Sequence, residues 1–431
     1  NNHAKPSEKK GGTTSKYTKL FHARTHIGQG LYPEVMNTLP KPTSTELQYL
    51  TDLRHDFHAH PEIGYAEHRT SERICEELTK AGVEFRNGLA GGTGVLAWIP
   101  GEYADRTIGL RADIDALPIE ETSGVPWASS YPGRMHACGH DGHTTILLGT
   151  ARALAEHSKT HPLPAPVVML FQPAEEGGGG GLKMVQDGCL DGSIAPWKVS
   201  QMFGLHGWPD VREGMVGSRV GPLLAAADRF EITIEGKGAH AAQPFKSIDP
   251  ITTAAAIVTA LQTIVSRNVD PLEAAVVSVT TIHSGSAFNV IPTEAKITGT
   301  SRSLDQEVRT LLERRIGEVS QQIALAHGCT ATIEYERGYP VTRNHPQAVS
   351  TFMDLARTEL GDAAVYEVER PFMGAEDFSY YGEVVPACFF LLGLLPPDET
   401  SMPLLHASDF DFNDSALEIG VRMFSRLALN A

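Results

Sequence analysis

The feature that most constrains this chain is the alternation of short apolar runs with amphipathic stretches. GVLAWIPG, RTIGLRADIDALP, APVVMLFQPAEE and QMFGLHGWP are apolar runs closed by Pro, Gly or acidic residues, and they read as strands. Around them, STELQYLTDLRHDFHAH (from Ser44), TSERICEELTKAG (from Thr70) and TTILLGTARALAEH carry the spacing of amphipathic helices. Strands alternating with helices predict an α/β fold whose sheet is mixed but largely parallel, flanked by helices. In such sheets functional groups gather at the carboxyl ends of the strands. IDALP, PAEE and LHGWP stand at such ends and are expected to face one crevice.

The pattern changes at Asp228. DRFEITIEGKG reads as a strand, DPITTAAAIVTALQTIVSR as a helix, and AAVVSVTTIHSG and TEAKITGTSRS as strands. DQEVRTLLERRIGEVSQQIALAHG is a long helix and CTATIEYERGY a strand. The order βαββαβ is that of a ferredoxin-like split unit. Alternation resumes after Gly338 through PQAVSTFMDLARTEL, CFFLLGLL and NDSALEIGVRMFSRLALN. The expected organisation is a discontinuous main domain, 44–226 with 338–431, and an inserted smaller domain, 227–337.

Composition bounds the partners. With 41% hydrophobic and 20% charged residues, the 431-residue chain has the balance of a globular protein with a sizeable core. A net charge of −16 argues against nucleic acid, which needs a basic footprint. No apolar run approaches the ~20 residues that span a bilayer, so no membrane helix is expected. Five scattered cysteines make no disulfide framework. Residues 1–43 are basic, with Lys5, Lys9, Lys10, Lys16, Lys19, Arg24 and Lys41 against Glu8 and Glu34, and read as a flexible leader. Lacking an initiator Met and an apolar signal core, this leader is expected to be a processed remnant or the interior of a longer chain. It favours a periplasmic or secreted location over the cytoplasm.

Several residues could carry chemistry. Cys138 and His140, in ACGHDGH before a helix, are good ligands for zinc and similar metals, although an isolated C-x-H is a weak signal. Glu175 and Glu176 follow an apolar strand and enter a glycine run, where one carboxylate could bind metal and the other act as general base. His206 follows an apolar strand before an expected turn, and His406 in PLLHASDF stands similarly; each could instead be a core histidine bonded to backbone. Asp113 or Asp115 could orient a ligand histidine. Together these read as a centre for two ions, because five or more candidate ligands exceed one tetrahedral site. The alternative, Cys138 as a nucleophile with His140 or His143 as base, leaves the Glu pair, His206 and His406 unemployed. The glycine runs lack a phosphate-binding pattern, and the histidines of HDFHAHPE read as a packed helix end. Asp141 and His143 are expected to shape the turn rather than bind metal.

At this point the set RADIDALP, MHACGHDGHT, PAEEG, LHGWP, GAHAAQP, NVIPTEAKITGTSRS and MGAEDFSYY resembles the aminoacylase/carboxypeptidase-G metallopeptidase family. More narrowly, the set looks like the amidohydrolase branch of that family, which includes hippurate hydrolases, indoleacetyl-amino acid hydrolases and N-acetyl-diaminopimelate deacetylases. The resemblance runs over residues 46–430. It implies a dinuclear centre held by Cys138, His140, Glu176, His206 and His406, with Cys138 bridging where the wider family has aspartate. It further implies Glu175 as general acid/base, Asp113 as the orienting carboxylate, and the inserted domain as a lid and dimerisation domain. His240 would stabilise the oxyanion, in its own or a partner subunit's site, and Asn289 and Arg302 would hold substrate.

The expected activity is metal-dependent hydrolysis of an N-acyl or aryl-acyl amino acid to a carboxylate and a free amino acid, by a homodimer or higher homo-oligomer. The two divalent ions are expected to be zinc, with manganese, cobalt or nickel as alternatives. A dipeptidase or carboxypeptidase of the same family, and a non-catalytic metal-binding scaffold, are the other readings.

Overall fold

The structure is a computed structural model that describes residues 41–430; all but the last three residues of the expected leader lie outside the described residues. Thr43 opens the first helix by a reciprocal cap: its hydroxyl accepts the Glu46 N–H, and the Glu46 carboxylate accepts the Thr43 N–H. The resulting α1 (Ser44–His58) is followed by α2 (His68–Ala81), β1 (Glu84–Leu89), β2 (Gly94–Ile99) and β3 (Ile108–Asp113). Next come α3 (His140–Ser158), β4 (Val167–Gln172), α4 (Gly180–Gln186), β5 (Gln201–Arg212), β6 (Val216–Ser218) and β7 (Gly221–Leu224). The chain then runs through β8 (Ala226–Glu235), β9 (Ala239–His240), α5 (Pro250–Asn268), β10 (Ala275–Ser284), β11 (Val290–Ile291), β12 (Glu294–Ser303), α6 (Gln306–Ala326) and β13 (Thr330–Arg337). It closes with β14 (Thr342–Asn344), α7 (Pro346–Leu360), β15 (Val365–Glu367), α8 (Ser379–Gly382), β16 (Ala387–Leu395) and α9 (Ala416–Leu429).

Eight strands form one sheet in the order β1-β2-β4-β3-β5-β16-β6-β15. The central pairs β4/β3, β3/β5 and β5/β16 are parallel, as is β15/β6, whereas β1/β2, β2/β4 and β16/β6 are antiparallel. Successive residues of β4 face opposite sides, which explains its uninterrupted apolar run. Val167, Met169 and Phe171 pack with α1, α3 and α9, while Val168 and Leu170 pack with Met184 of α4 and Tyr381 of α8. Each fully buried side chain of this size contributes roughly 1.5–3 kcal/mol.

A second sheet has the antiparallel order β10-β12-β8-β13, the ferredoxin-like arrangement. Burial alternates along β8, so one face packs on α5 and α6 through Phe230, Ile232, Ile234, Ile257, Leu261, Leu312 and Ile316. Asp249 and Asp305 start these helices by accepting backbone N–H groups. No helix among the described residues is long and apolar enough to cross a membrane.

Candidate metal centre

The turn before α3 brings the first ligand candidates into place. Gly139, at φ +85, occupies a left-handed conformation that lets the chain reverse between Cys138 and His140. Gly142 then sits against the Phe412 ring, where a Cβ would lie 2.6 Å from ring carbons. Cys138 and His140 are thereby pressed under the carboxyl end of β3 and against β5, and Cys138 Sγ lies 3.4 Å from His206 Nε2.

Ring protons can be assigned from partners. His206 Nδ1–H donates to the Gly207 carbonyl at 2.8 Å, leaving Nε2 with its lone pair toward Cys138. His140 Nδ1–H donates to the Asp115 carbonyl at 2.9 Å, and its buried Nε2 has no hydrogen-bond partner. His143 differs: its Nε2 accepts the Gly207 N–H at 2.8 Å and its Nδ1–H donates to Asp113 at 2.7 Å, so both nitrogens are occupied. Asp113 thus holds His143, while Asp115 holds His140 and accepts the Glu176 N–H at 3.0 Å.

Among the described residues five groups of three possible ligands have all atoms within 4.8 Å of one another, and two of them contain Cys138: Cys138 with His140 and His206, and Cys138 with Glu176 and His406. Cys138 belongs to both. Ligand atoms held about 2.0–2.3 Å from one ion lie up to about 4.6 Å apart, and Cys138 Sγ and His206 Nε2, at 3.4 Å, fall within that spacing. His406 Nε2 is 3.1 Å from Glu176 Oε1. Burial and the carboxylates of Glu176, Glu175 and Asp113 push the Cys138 thiol well above its ordinary pKa, opposite to what a thiol nucleophile requires. Burial alone would lower His140, but Asp113, Asp115 and Glu176 raise it to about 10.

Glu175 is buried beside the second group. Burial, reinforced by Glu376, Glu176, Asp377 and Asp115, holds its carboxyl well above the usual range. Beneath it lies the fully buried Arg111, whose guanidinium reaches Asp113 at 2.6 Å, Glu376 at 2.8 Å, Asp377 at 2.9 Å and Gln172 at 2.9 Å.

The sequence profile of peptidase family M20/M25/M40 matches residues 109–430 of the chain. The chain belongs to that family. It is therefore a hydrolase of amide bonds. This M20 chain is 43% identical to an N-acetyl-L-cysteine deacetylase of Bacillus subtilis, over 82% of each chain. It is 38% identical to the IAA-amino acid hydrolase ILR1-like 4 of Arabidopsis thaliana, over 88% of this chain and 85% of the relative. Among solved structures it resembles YXEP of Bacillus subtilis, described as a dinuclear metal binding peptidase of the M20 family. That likeness has a TM-score of 0.75 and 34% identity, covering 89% of this chain and 97% of the other.

In the M20 hydrolase a crevice of about 690 Å³ joins these groups. Cys138, Glu175, Glu176, His206 and His406 line it on one side, and Asp228, Thr300, Arg302 and Glu336 on the other. Arg302 is thus brought toward the centre, its guanidinium resting on Thr300 and donating to the Ser301 carbonyl at 3.0 Å. His240 and Asn289 are not among the lining residues. They sit together on the exposed β9/β11 ribbon, where Ala241 N–H donates to the Asn289 carbonyl at 3.0 Å.

Two local expectations are corrected. No turn follows His206; β5 continues to Arg212. β3 pairs with β5 only as far as Arg111–Gly204, so one edge of β5 is free beyond that level, and Pro209 falls where the pairing with β16 shifts register. His406 ends no strand; it stands in a loop at φ +67, tied by its N–H to the Ala137 carbonyl at 2.8 Å, next to Cys138.

Sequence reasoning also missed Arg111, Glu376 and Asp377. Arg111 and Asp113, two apart on one strand, share a face, and that spacing was the available signal.

Proposed function

We propose that this chain is a two-metal amidohydrolase of N-acyl amino acids. The observation that carries the reading is the pair of ligand groups that share Cys138 Sγ, with the Glu175 carboxylate beside them. Zinc, or manganese, cobalt or nickel in its place, would supply Lewis acidity there, lowering the pKa of water and polarising the amide carbonyl. Cys138, His140 and His206 would hold one ion, and Cys138, Glu176 and His406 the other. Glu175 takes the proton from the attacking water and returns it to the leaving nitrogen. Arg302, across the crevice, receives the carboxylate of the amino-acid half in its two-pronged guanidinium. Trp208, Leu224 and Leu405 give the crevice an apolar wall near His206 and His406, suited to the acyl half. The likeness to an N-acetyl-L-cysteine deacetylase and an IAA-amino acid hydrolase supports this substrate class.

Residues 227–337 act in this reading as a lid and dimer-forming insert. Because His240 and Asn289 lie outside the crevice of their own chain, we place them in a second subunit's site, His240 at the oxyanion. A periplasmic or secreted location is part of the same proposal.

The test is a panel of N-acetyl, N-benzoyl and N-indoleacetyl amino acids and dipeptides, with metal content measured on the same protein. Glu175→Gln should lower kcat by about 10²–10⁴-fold and keep two metals per chain. A fully active Glu175→Gln protein sinks the proposal, and exclusive cleavage of dipeptides would assign the chain to the peptidases of the family instead.

A further inference from the structure

The loop that carries Glu175 is unusually dependent on outside support. It begins at Ala174, whose φ of +53 is left-handed, and continues into Gly177 at φ +85 and Gly179 at φ +66. Consecutive glycines give such a segment little intrinsic shape. Glu67 takes the Ala174 N–H at 2.9 Å, Asp115 takes the Glu176 N–H, and Tyr65 donates its hydroxyl to the Gly178 carbonyl at 2.6 Å. These supports come from segments that precede the inserted βαββαβ unit.

Two supports come from beyond that unit: Asp377, which accepts the Gly181 N–H at 2.8 Å and donates its N–H to the Glu175 carboxylate at 3.4 Å, and Tyr339. The hydroxyl of Tyr339 donates to the Glu175 carbonyl and accepts the Gly179 N–H at 3.0 Å, so it staples both ends of the loop. Among the described residues no other side-chain donor reaches that carbonyl. Tyr339 lies just beyond β13, where the chain leaves the inserted unit, and its own carbonyl accepts the Ala227 N–H at 3.0 Å, where the chain enters it.

Both crossings are clamped by one buried carboxylate. Asp228 accepts from Arg309 of α6 at 2.5 and 3.0 Å, from the Tyr335 hydroxyl at 2.8 Å and from the Gly338 N–H at 3.1 Å. Arg309 also donates to the Gly338 carbonyl at 2.9 Å. The backbone of Tyr339 is therefore set by the two crossings of the insert, while its hydroxyl is set against the Glu175 loop.

We infer that Tyr339 is a positioning residue that ties the placement of Glu175 to the two crossings of the inserted unit, with the Asp228–Arg309 pair as the clamp behind it. The inference rests on the proposed role of Glu175. Movement of the insert at its two crossings shifts Tyr339 and so loosens or tightens the loop, without any contact between Arg309 and the substrate.

The experiment compares the metal-loaded, full-length protein with Tyr339→Phe and Arg309→Gln by hydrogen–deuterium exchange and steady-state kinetics. In Tyr339→Phe, amides of residues 174–181 should exchange at least tenfold faster. With an N-acyl amino acid that the parent protein cleaves, kcat should fall about tenfold, equivalent to about 1.4 kcal/mol. KM should stay within about twofold of the parent, and two metals per chain should be kept. In Arg309→Gln the same segment should exchange faster although the substitution is remote from it. Unchanged exchange over 174–181 in either variant overturns the coupling. A raised KM with unchanged kcat would make Tyr339 a substrate contact and also overturn it. If the parent protein cleaves no N-acyl amino acid, the proposed function fails, and exchange alone still decides whether the crossings and loop are linked.

Discussion

His58 offers the sharpest test of the buried charge network behind the centre. Its Nδ1 lies 2.8 Å from Asp141 and its Nε2 3.2 Å from Glu121, and Asp141 also accepts from the buried Arg54 at 3.2 Å. Burial works against the charged ring, but Asp141 outweighs it, helped by Glu121, and raises His58 from 6.5 to about 9. At about 1.4 kcal/mol per pH decade, that rise corresponds to about 3 kcal/mol of stability. This figure agrees with the roughly 3–5 kcal/mol lost when one partner of a buried ion pair is removed. The folded value lies above the unfolded one, so the contribution is complete below pH 6.5 and disappears as pH rises through 9. His58→Gln keeps a hydrogen-bonding side chain and leaves Arg54 on Asp141, so the variant should fold. Denaturant unfolding of both metal-loaded proteins should give a difference of about 3 kcal/mol near pH 7, shrinking below about 0.5 kcal/mol near pH 10. A difference that is constant or grows over that range would show that His58 is not held as a cation by Asp141, and the reasoning would fail.

Other consequences are open to simpler measurements. Arg302→Lys should raise KM about tenfold for N-acyl amino acids and leave the matching substrates with an amidated carboxyl group unaffected; equal effects on both would remove the carboxylate from Arg302. Trp208→Ala should depress kcat/KM more for N-benzoyl than for N-acetyl substrates, and equal losses would show that this wall does not sort acyl groups. Gly142→Ala should cost about 1–3 kcal/mol, because its Cβ would press on the Phe412 ring at 2.6 Å, so an unchanged melting temperature would refute that contact. Chelation should abolish turnover and added zinc, manganese, cobalt or nickel restore it, whereas activity that survives chelation but not thiol alkylation would favour the cysteine-nucleophile reading.

Much of the scaffold could be read because burial imposes a period. β16 is apolar throughout and β4 up to its last residue, Gln172, since both faces are covered, and β8 alternates since one face is. The βαββαβ order followed from that alternation and from two long capped helices. What could not be read depends on partners distant in sequence. β6 and β15 are three residues each and are defined by their neighbours rather than by any pattern of their own. Pro209 looked like a strand terminator, yet β5 loses its β3 partner before reaching it and so tolerates a residue without an N–H. His406 offered no periodic signal, because one backbone hydrogen bond to Ala137 brings its loop to Cys138.

The candidate site shows the same division at finer scale. Residue type together with the family resemblance nominated Cys138, His140, Glu176, His206 and His406, but not which nitrogen of each histidine is free, and that decides what a histidine can do. His143 sits closer to the Asp113 carboxylate than His140 does, 2.7 Å against 3.6 Å, yet Gly207 and Asp113 occupy both of its nitrogens. His140 has no hydrogen-bond partner at Nε2, because its Nδ1–H is the one that donates to the Asp115 carbonyl. Asp113 thus holds His143 by its carboxylate, and Asp115 holds His140 by its backbone carbonyl. Asp113, Glu175, Glu376 and Asp377 all lie buried in the same region of a chain whose net charge is already −16. Arg111 makes that arrangement tolerable by pairing with three of them, while Glu175 is left without a cationic side-chain partner among the described residues. The carboxylate proposed as the base is thus the one that the buried cation does not neutralise.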